Sequence, residues 1–159
     1  MAESEVGIQN QEKVPDQQFA TQRLYIKDFS FESPLSPTGF IKEWKPSISV
    51  DLNTKSNRID DTNVEVVLTI TVEAKQEEDV AFLVEVQQAG IFFIKGIEGL
   101  ELGRVLGAVC PAILFPYARE TIDGVVIKGS FPALMLAPVN FDALYEQALS
   151  QDSKEQSTH

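Results

Sequence analysis

Cys110 and His159 are the only cysteine and the only histidine in the chain, and together they restrict its covalent chemistry. A nucleophilic triad needs a positioned imidazole, yet His159 is the terminal residue. Structural zinc sites draw their ligands mainly from Cys and His, so a metal centre here would rest on carboxylates alone. Cys110 lies in Ala108-Val109-Cys110-Pro111, with nothing adjacent to lower its pKa, and reads as a buried structural thiol. A lone cysteine permits no intramolecular disulfide, which suits a reducing compartment. Glu98, Glu101 and Arg104 follow Gly96 and Gly99, but the Gly-Lys-Ser/Thr ending of a phosphate loop is missing. Acids there compensate a helix dipole instead. No spacing of carboxylates singles out a hydrolytic pair. These residues predict no enzyme, no cofactor and no metal.

Binding is what remains, and the composition allows a folded protein to do it. The chain has 159 residues, 43% of them hydrophobic, enough for one domain with its own core. Its net charge is −11, most of it between Arg23 and Ser150. Such a surface repels phosphate backbones, so nucleic acid is not expected as a partner. Basic polypeptides suit it, although acidity also serves solubility. No apolar run approaches the ~20 residues of a membrane span, and the polar start is unlike a signal peptide. The expectation is a cytoplasmic protein without membrane insertion.

The pattern predicts an acidic flexible arm over 1–22, a folded domain over 23–150 and a flexible tail over 151–159. Four strands follow the arm. Leu24–Glu32 sets Phe29 and Phe31 opposite Asp28, Ser30 and Glu32. Ile48, Val50 and Leu52 alternate with polar residues in a half-buried pattern. Val64, Val66, Leu68, Ile70 and Val72 do the same, with Val67 as the mismatch, and Phe82, Val84 and Val86 face away from Leu83, Glu85 and Gln87. Lys75–Asp79 is the tip of a hairpin. Alternation of this kind predicts an antiparallel sheet with one covered face.

The link from Ser33 to Pro46 is too long for a hairpin loop. It carries Pro34, Pro37 and Pro46 but also Phe40, Ile41 and Trp44, so it crosses over, and strand 1 pairs elsewhere, with strand 4. Trp44, the only tryptophan, either packs on the core as a lid or lines a groove. Beyond Gly96 a helical pattern is expected to be divided or kinked by Pro111 and Pro116. It is apolar on most of its circumference from Leu100 to Phe115, so a single sheet leaves part of it bare and a second subunit must cover the rest. A last helix, Asn140–Ser150, starts from an Asn cap with Asp142 in the first turn. Phe141, Leu144, Tyr145, Ala148 and Leu149 form its apolar stripe.

Three stretches carry a resemblance. Glu85-Val86-Gln87-Gln88-Ala89-Gly90-Ile91-Phe92, Cys110-Pro111-Ala112-Ile113-Leu114-Phe115-Pro116-Tyr117-Ala118-Arg119-Glu120 and Phe131-Pro132-Ala133-Leu134-Met135-Leu136-Ala137-Pro138-Val139-Asn140-Phe141-Asp142-Ala143-Leu144 resemble the bacterial protein-export chaperone SecB family, over about Arg23 to Leu149. The resemblance implies an α+β fold: a four-stranded antiparallel sheet with a crossover after strand 1 and two main helices on one face, assembled as a dimer of dimers. It implies a homotetrameric holdase that keeps precursor proteins unfolded without ATP and passes them to the translocation ATPase SecA. By motif match Asp28, Glu32, Leu83 and Glu85 correspond to the face that receives SecA. Phe40, Ile41 and Trp44, with Phe141, Leu144 and Tyr145, are expected to border the groove for unfolded clients. Gly39, Phe40 and the doubled Phe92-Phe93 depart from the family pattern and alter groove shape. Two other readings stand beside this one: a SecB-like chaperone that guards antitoxins, and a small-ligand carrier using an α+β cavity.

Overall fold

The computed structural model describes residues 16–157. Met1–Pro15, most of the expected arm, and Thr158 and His159 lie outside the described residues. Four antiparallel strands, β1 (Gln18–Glu32), β2 (Ser47–Arg58), β3 (Asn63–Gln76) and β4 (Asp79–Lys95), form one sheet in the order β1-β4-β3-β2. Strand 1 thus crosses over to pair with strand 4. The strand also begins earlier than expected. Gln18 already pairs with Lys95, and the Phe19 ring stacks 5.7 Å from Phe92, so 18–22 belong to the sheet and not to an arm.

Period-two alternation sorts β3 and β4 onto two faces. Val64, Val66, Leu68, Ile70, Val72 and Ala74 are buried inward, as are Phe82, Val84 and Val86. Val67, the mismatch, stays half-buried on the outer face. β4 runs well past Gln87, through Gln88-Ala89-Gly90, where the apolar alternation lapses. Gln88 is buried and its Nε2 donates to the Tyr25 carbonyl at 3.2 Å. A Cβ on Gly90 would come within 2.9 Å of Phe92 and 3.1 Å of Leu114, so the bare backbone is what admits the helix.

The helical part is a single run, not two pieces. α1 (Gly99–Arg104) passes through a π-type turn (Val105–Val109) into α2 (Cys110–Lys128). The Cys110 amide reaches back to Val105 O, five residues away. Pro111 then falls in the first turn of α2, where a proline is best tolerated. Pro116 lies within α2 on its exposed side, and the helix continues past it. Leu114, Ala118, Ile122 and Val126, spaced at i+4, are fully buried and face β4 and β3. Cys110 is buried too, and desolvation pushes its thiol pKa up to about 12. The run 99–128 is, by length and composition alone, long and apolar enough to cross a membrane, contrary to the sequence expectation. One side packs on the sheet, while Val109, Tyr117 and Ile127 remain exposed.

An extended segment leads from Ser130 to α3 (Phe141–Gln156). Asp123 Oδ1 pins it by accepting the amides of Leu134 at 3.0 Å and Met135 at 3.2 Å. Asn140 caps α3 through the Ala143 amide at 3.1 Å, as its side chain predicts. The helix runs on to Gln156, so most of the expected flexible tail is helical, with Ser150 and Ser153 hydroxyls bonded back to carbonyls of the preceding turn.

Candidate functional site

The outer face of the sheet gathers the acidic candidates. Glu32 lies opposite Leu83, Ser30 opposite Glu85 and Asp28 opposite Gln87 in the β1–β4 register. The register shift between Ile26 and Asp28 falls ahead of both acids, and regular alternation from there puts Asp28 on one face with Glu32. Asp28, Glu32, Leu83 and Glu85 therefore sit together on neighbouring strands. Glu85 accepts from Thr71 Oγ1 at 3.2 Å, and Asp28 Oδ1 accepts the Phe29 amide at 2.9 Å. A neighbouring trio further along the face is self-satisfied. Glu65 pairs with Lys27 at 2.7 Å and accepts from Tyr25. The Lys27 and Tyr25 hydrogen bonds lower the Glu65 pKa, while burial and that carboxylate push Tyr25 up to about 12.

On the inner side, the apolar candidates fall into two depressions. Trp44 lies tilted 5.1 Å from Phe131 and stacked 6.3 Å from Phe82, and Phe40 lies 5.4 Å from Phe131. Phe40, Trp44 and Phe131, with Gly39, Lys42, Ser130 and Pro132, line a pocket of about 150 Å³. Trp44 is thus both a half-buried cover on the core and a pocket wall. Ile41 stands apart, 88% exposed on the 3-10 turn Thr38–Ile41. Leu144 and Tyr145 line a second depression of about 390 Å³ against Leu52, Asn53 and Thr54 of β2. Phe141 also lines it, but is itself buried edge-on against Phe115 at 5.8 Å.

Within one protomer the two sets line separate pockets. The crossover packs at the Phe82 end of the sheet, whereas α3 packs on the π turn beside the middle of β2. Between them the inward side chains of β2 are bare: Ile48 is 39% and Val50 42% exposed. α2 covers β4 and β3 but stops short of this edge strand.

The family model for "Preprotein translocase subunit SecB" matches residues 10–152. The chain belongs to the SecB family. Similar relatives are the protein-export protein SecB of Marinobacter nauticus, 58% identical over all of both chains, and that of Hahella chejuensis, 56% identical over 87% of each. Among solved structures, a Mycobacterium tuberculosis SecB-like chaperone, in complex with an antitoxin peptide, aligns over 76% of this chain and 87% of its own. Its TM-score of 0.61 at 13% identity is a likeness of fold.

Two features of this SecB chain escape the sequence reading. Phe131 is the common partner of Phe40, Trp44 and Phe82, yet it stands alone in an irregular stretch with no period to mark it. Ile48, Val50 and Leu52 did alternate visibly, but only the placement of the helices tells that Ile48 and Val50 are left exposed while Leu52 packs on the core. Among the described residues no group of three His, Cys, Asp or Glu could hold a metal ion.

Proposed function

We propose that this SecB chain is an ATP-independent holdase that binds unfolded precursor polypeptides in the cytoplasm, keeps them export-competent and delivers them to the SecA translocation ATPase. In a member of this family, the observation that carries the reading is apolar surface left open beside the sheet. The aromatic pocket at Trp44, the exposed pair Ile48 and Val50 and the depression under Leu144 and Tyr145 present large side chains without shaped polar specificity. Clients alike only in being unfolded call for such a surface. Contacts that are weak and numerous also let a client leave without nucleotide hydrolysis.

Phe40, Ile41, Trp44, Phe141, Leu144 and Tyr145 are the proposed client contacts. Asp28, Glu32 and Glu85, with Leu83 among them, are proposed to receive a basic surface of SecA. The outward face of the long helix supports assembly as a dimer of dimers, since each fully buried Leu or Val contributes roughly 1.5–3 kcal/mol. Suppression of aggregation tests the central claim. An unrelated denatured protein diluted into excess chaperone should stay soluble without ATP, and Trp44→Ala should weaken that protection while the assembly persists. Aggregation as fast as in buffer alone would sink the holdase reading.

A further inference from the structure

Every inward side chain of β3 from Val64 to Ala74 is apolar, and then the row ends on Gln76. Gln76 is only 7% exposed, and its Oε1 is buried without a hydrogen-bond donor. That oxygen belongs to a residue lining a small space of about 10 Å³, walled by Leu35, Phe40, Trp44, Ala81 and Phe131. A space of that size is at the lower limit for one water, and its mostly apolar walls offer a water few further partners. Gly39, Phe40, Trp44 and Phe131 also line the aromatic pocket of about 150 Å³, so the two spaces share these walls.

The partition belongs to a segment tied mostly to itself. Gly39 N donates to Leu35 O at 2.7 Å, Phe40 N to Pro37 O at 3.2 Å, and Thr38 Oγ1 to Leu35 O at 3.2 Å. Those bonds close within the crossover, and what holds it to the body is ring packing of Phe40 and Trp44 on Phe131 and Phe82. Ring packing yields to another apolar side chain more readily than a hydrogen-bonded strand does.

We infer that Gln76 is a specificity-determining residue of the client site: its Oε1 accepts a backbone N–H from a client segment whose large apolar side chain enters between Phe40, Trp44 and Phe131. A buried acceptor without a donor is costly, and a leucine at the end of this apolar row would avoid the cost. The occupant must bring both an apolar body and a donor. Backbone N–H is the one donor that nearly every residue of an unfolded chain supplies, whatever its sequence. Gln76 thus selects for extended chain with a free amide beside a bulky side chain, and against proline at that amide.

This inference rests on the holdase reading, and the test separates the two. The probe is a tryptophan-free nonapeptide with a central Phe, followed by Trp44 emission in the full-length assembly, together with a series N-methylated at one amide at a time. In the native protein, methylation at one amide near the Phe should weaken binding about tenfold. In Gln76→Leu and Gln76→Met, with circular dichroism unchanged, the parent peptide should still bind and that selective loss should vanish. A loss of the same size in the variants, or no selective loss in the native protein, would overturn the role of Gln76 while leaving the holdase reading intact. If the parent peptide leaves Trp44 emission unchanged and aggregation is not suppressed, both fall.

Discussion

The Tyr145 ring occupies the space that a side chain on Gly107 would need. A Cβ on Gly107 would lie 2.5 Å from Tyr145 Cδ2, and one on Gly103 would lie 2.6 Å from the Tyr145 hydroxyl. Two glycines one turn apart thus form a notch on the long helix, and α3 is seated in it by a single aromatic side chain. Arg104 flanks the notch and pairs with Asp142 at 2.7 Å and Glu146 at 3.3 Å, both exposed and therefore minor in energy.

Gly107→Ala should loosen α3 without unfolding the sheet. Overpacking of this kind costs ~1–3 kcal/mol, so amide exchange in α3 should quicken by tenfold or more. Amides of β3 and β4 should keep their protection. Exchange in α3 equal to that of the native protein would show that the helix is held elsewhere.

Reversing charge on the outer face should weaken SecA and spare client holding. An exposed ion pair is worth only ~0.2–1 kcal/mol, but the proposed assembly would repeat the face, and engagement at two copies compounds small losses. The Asp28→Lys, Glu85→Lys double variant is expected to bind SecA at least tenfold more weakly, and native binding should fall with added salt. Undiminished affinity by calorimetry would remove these residues from the contact.

The exposed apolar side of α2 should hold the assembly together. Tyr117 is 50% and Ile127 57% exposed in the protomer, so Tyr117→Asp or Ile127→Asp should split the tetramer and leave the secondary structure in place. Sedimentation equilibrium is the measurement. A native protein that sediments as a 17.6 kDa species at micromolar concentration would remove the basis for this expectation.

Acid should unlock the turn between β2 and β3. The Asn63 side chain bonds to both Asp60 oxygens, and the amides of Thr62 and Asn63 donate to Oδ1 at 2.9 and 2.8 Å. Those bonds lower the Asp60 pKa to about 2. A depressed carboxyl contributes stability that is present above its unfolded pKa, about 3.9, and lost as pH falls through 2. Asp60→Ala should therefore melt below the native protein at pH 7, with the gap closing toward pH 2. A gap independent of pH would assign the loss to packing.

Period two made β3 legible from Val64 to Val72, and it placed Asp28 with Glu32, and Leu83 with Glu85, on shared faces before any register was known. β4 was legible only as far as Gln87. Beyond it Gly90 has no side chain because Leu114 needs the room, and that reason lies on another element. Proline rules pointed to an interruption near Pro111 but could not give its form. The π turn ahead of Pro111 absorbs what a regular helix could not. The pairing of Trp44 with Phe131 joins two irregular segments far apart in sequence, and no local pattern encodes it.

The π turn at Val105–Val109 has a further consequence. Successive residues of an α-helix advance by about 100°, and a π turn accommodates one residue more than an α-turn over the same rise. The Gly103–Gly107 notch that seats α3 and the Leu114–Val126 stripe that meets the sheet are consequently set at azimuths fixed by a single inserted residue. A lineage that deleted any residue between Val105 and Val109 would regain a regular helix but rotate one binding surface away from its partner. The length of this five-residue stretch thus sets both contacts of the long helix at once.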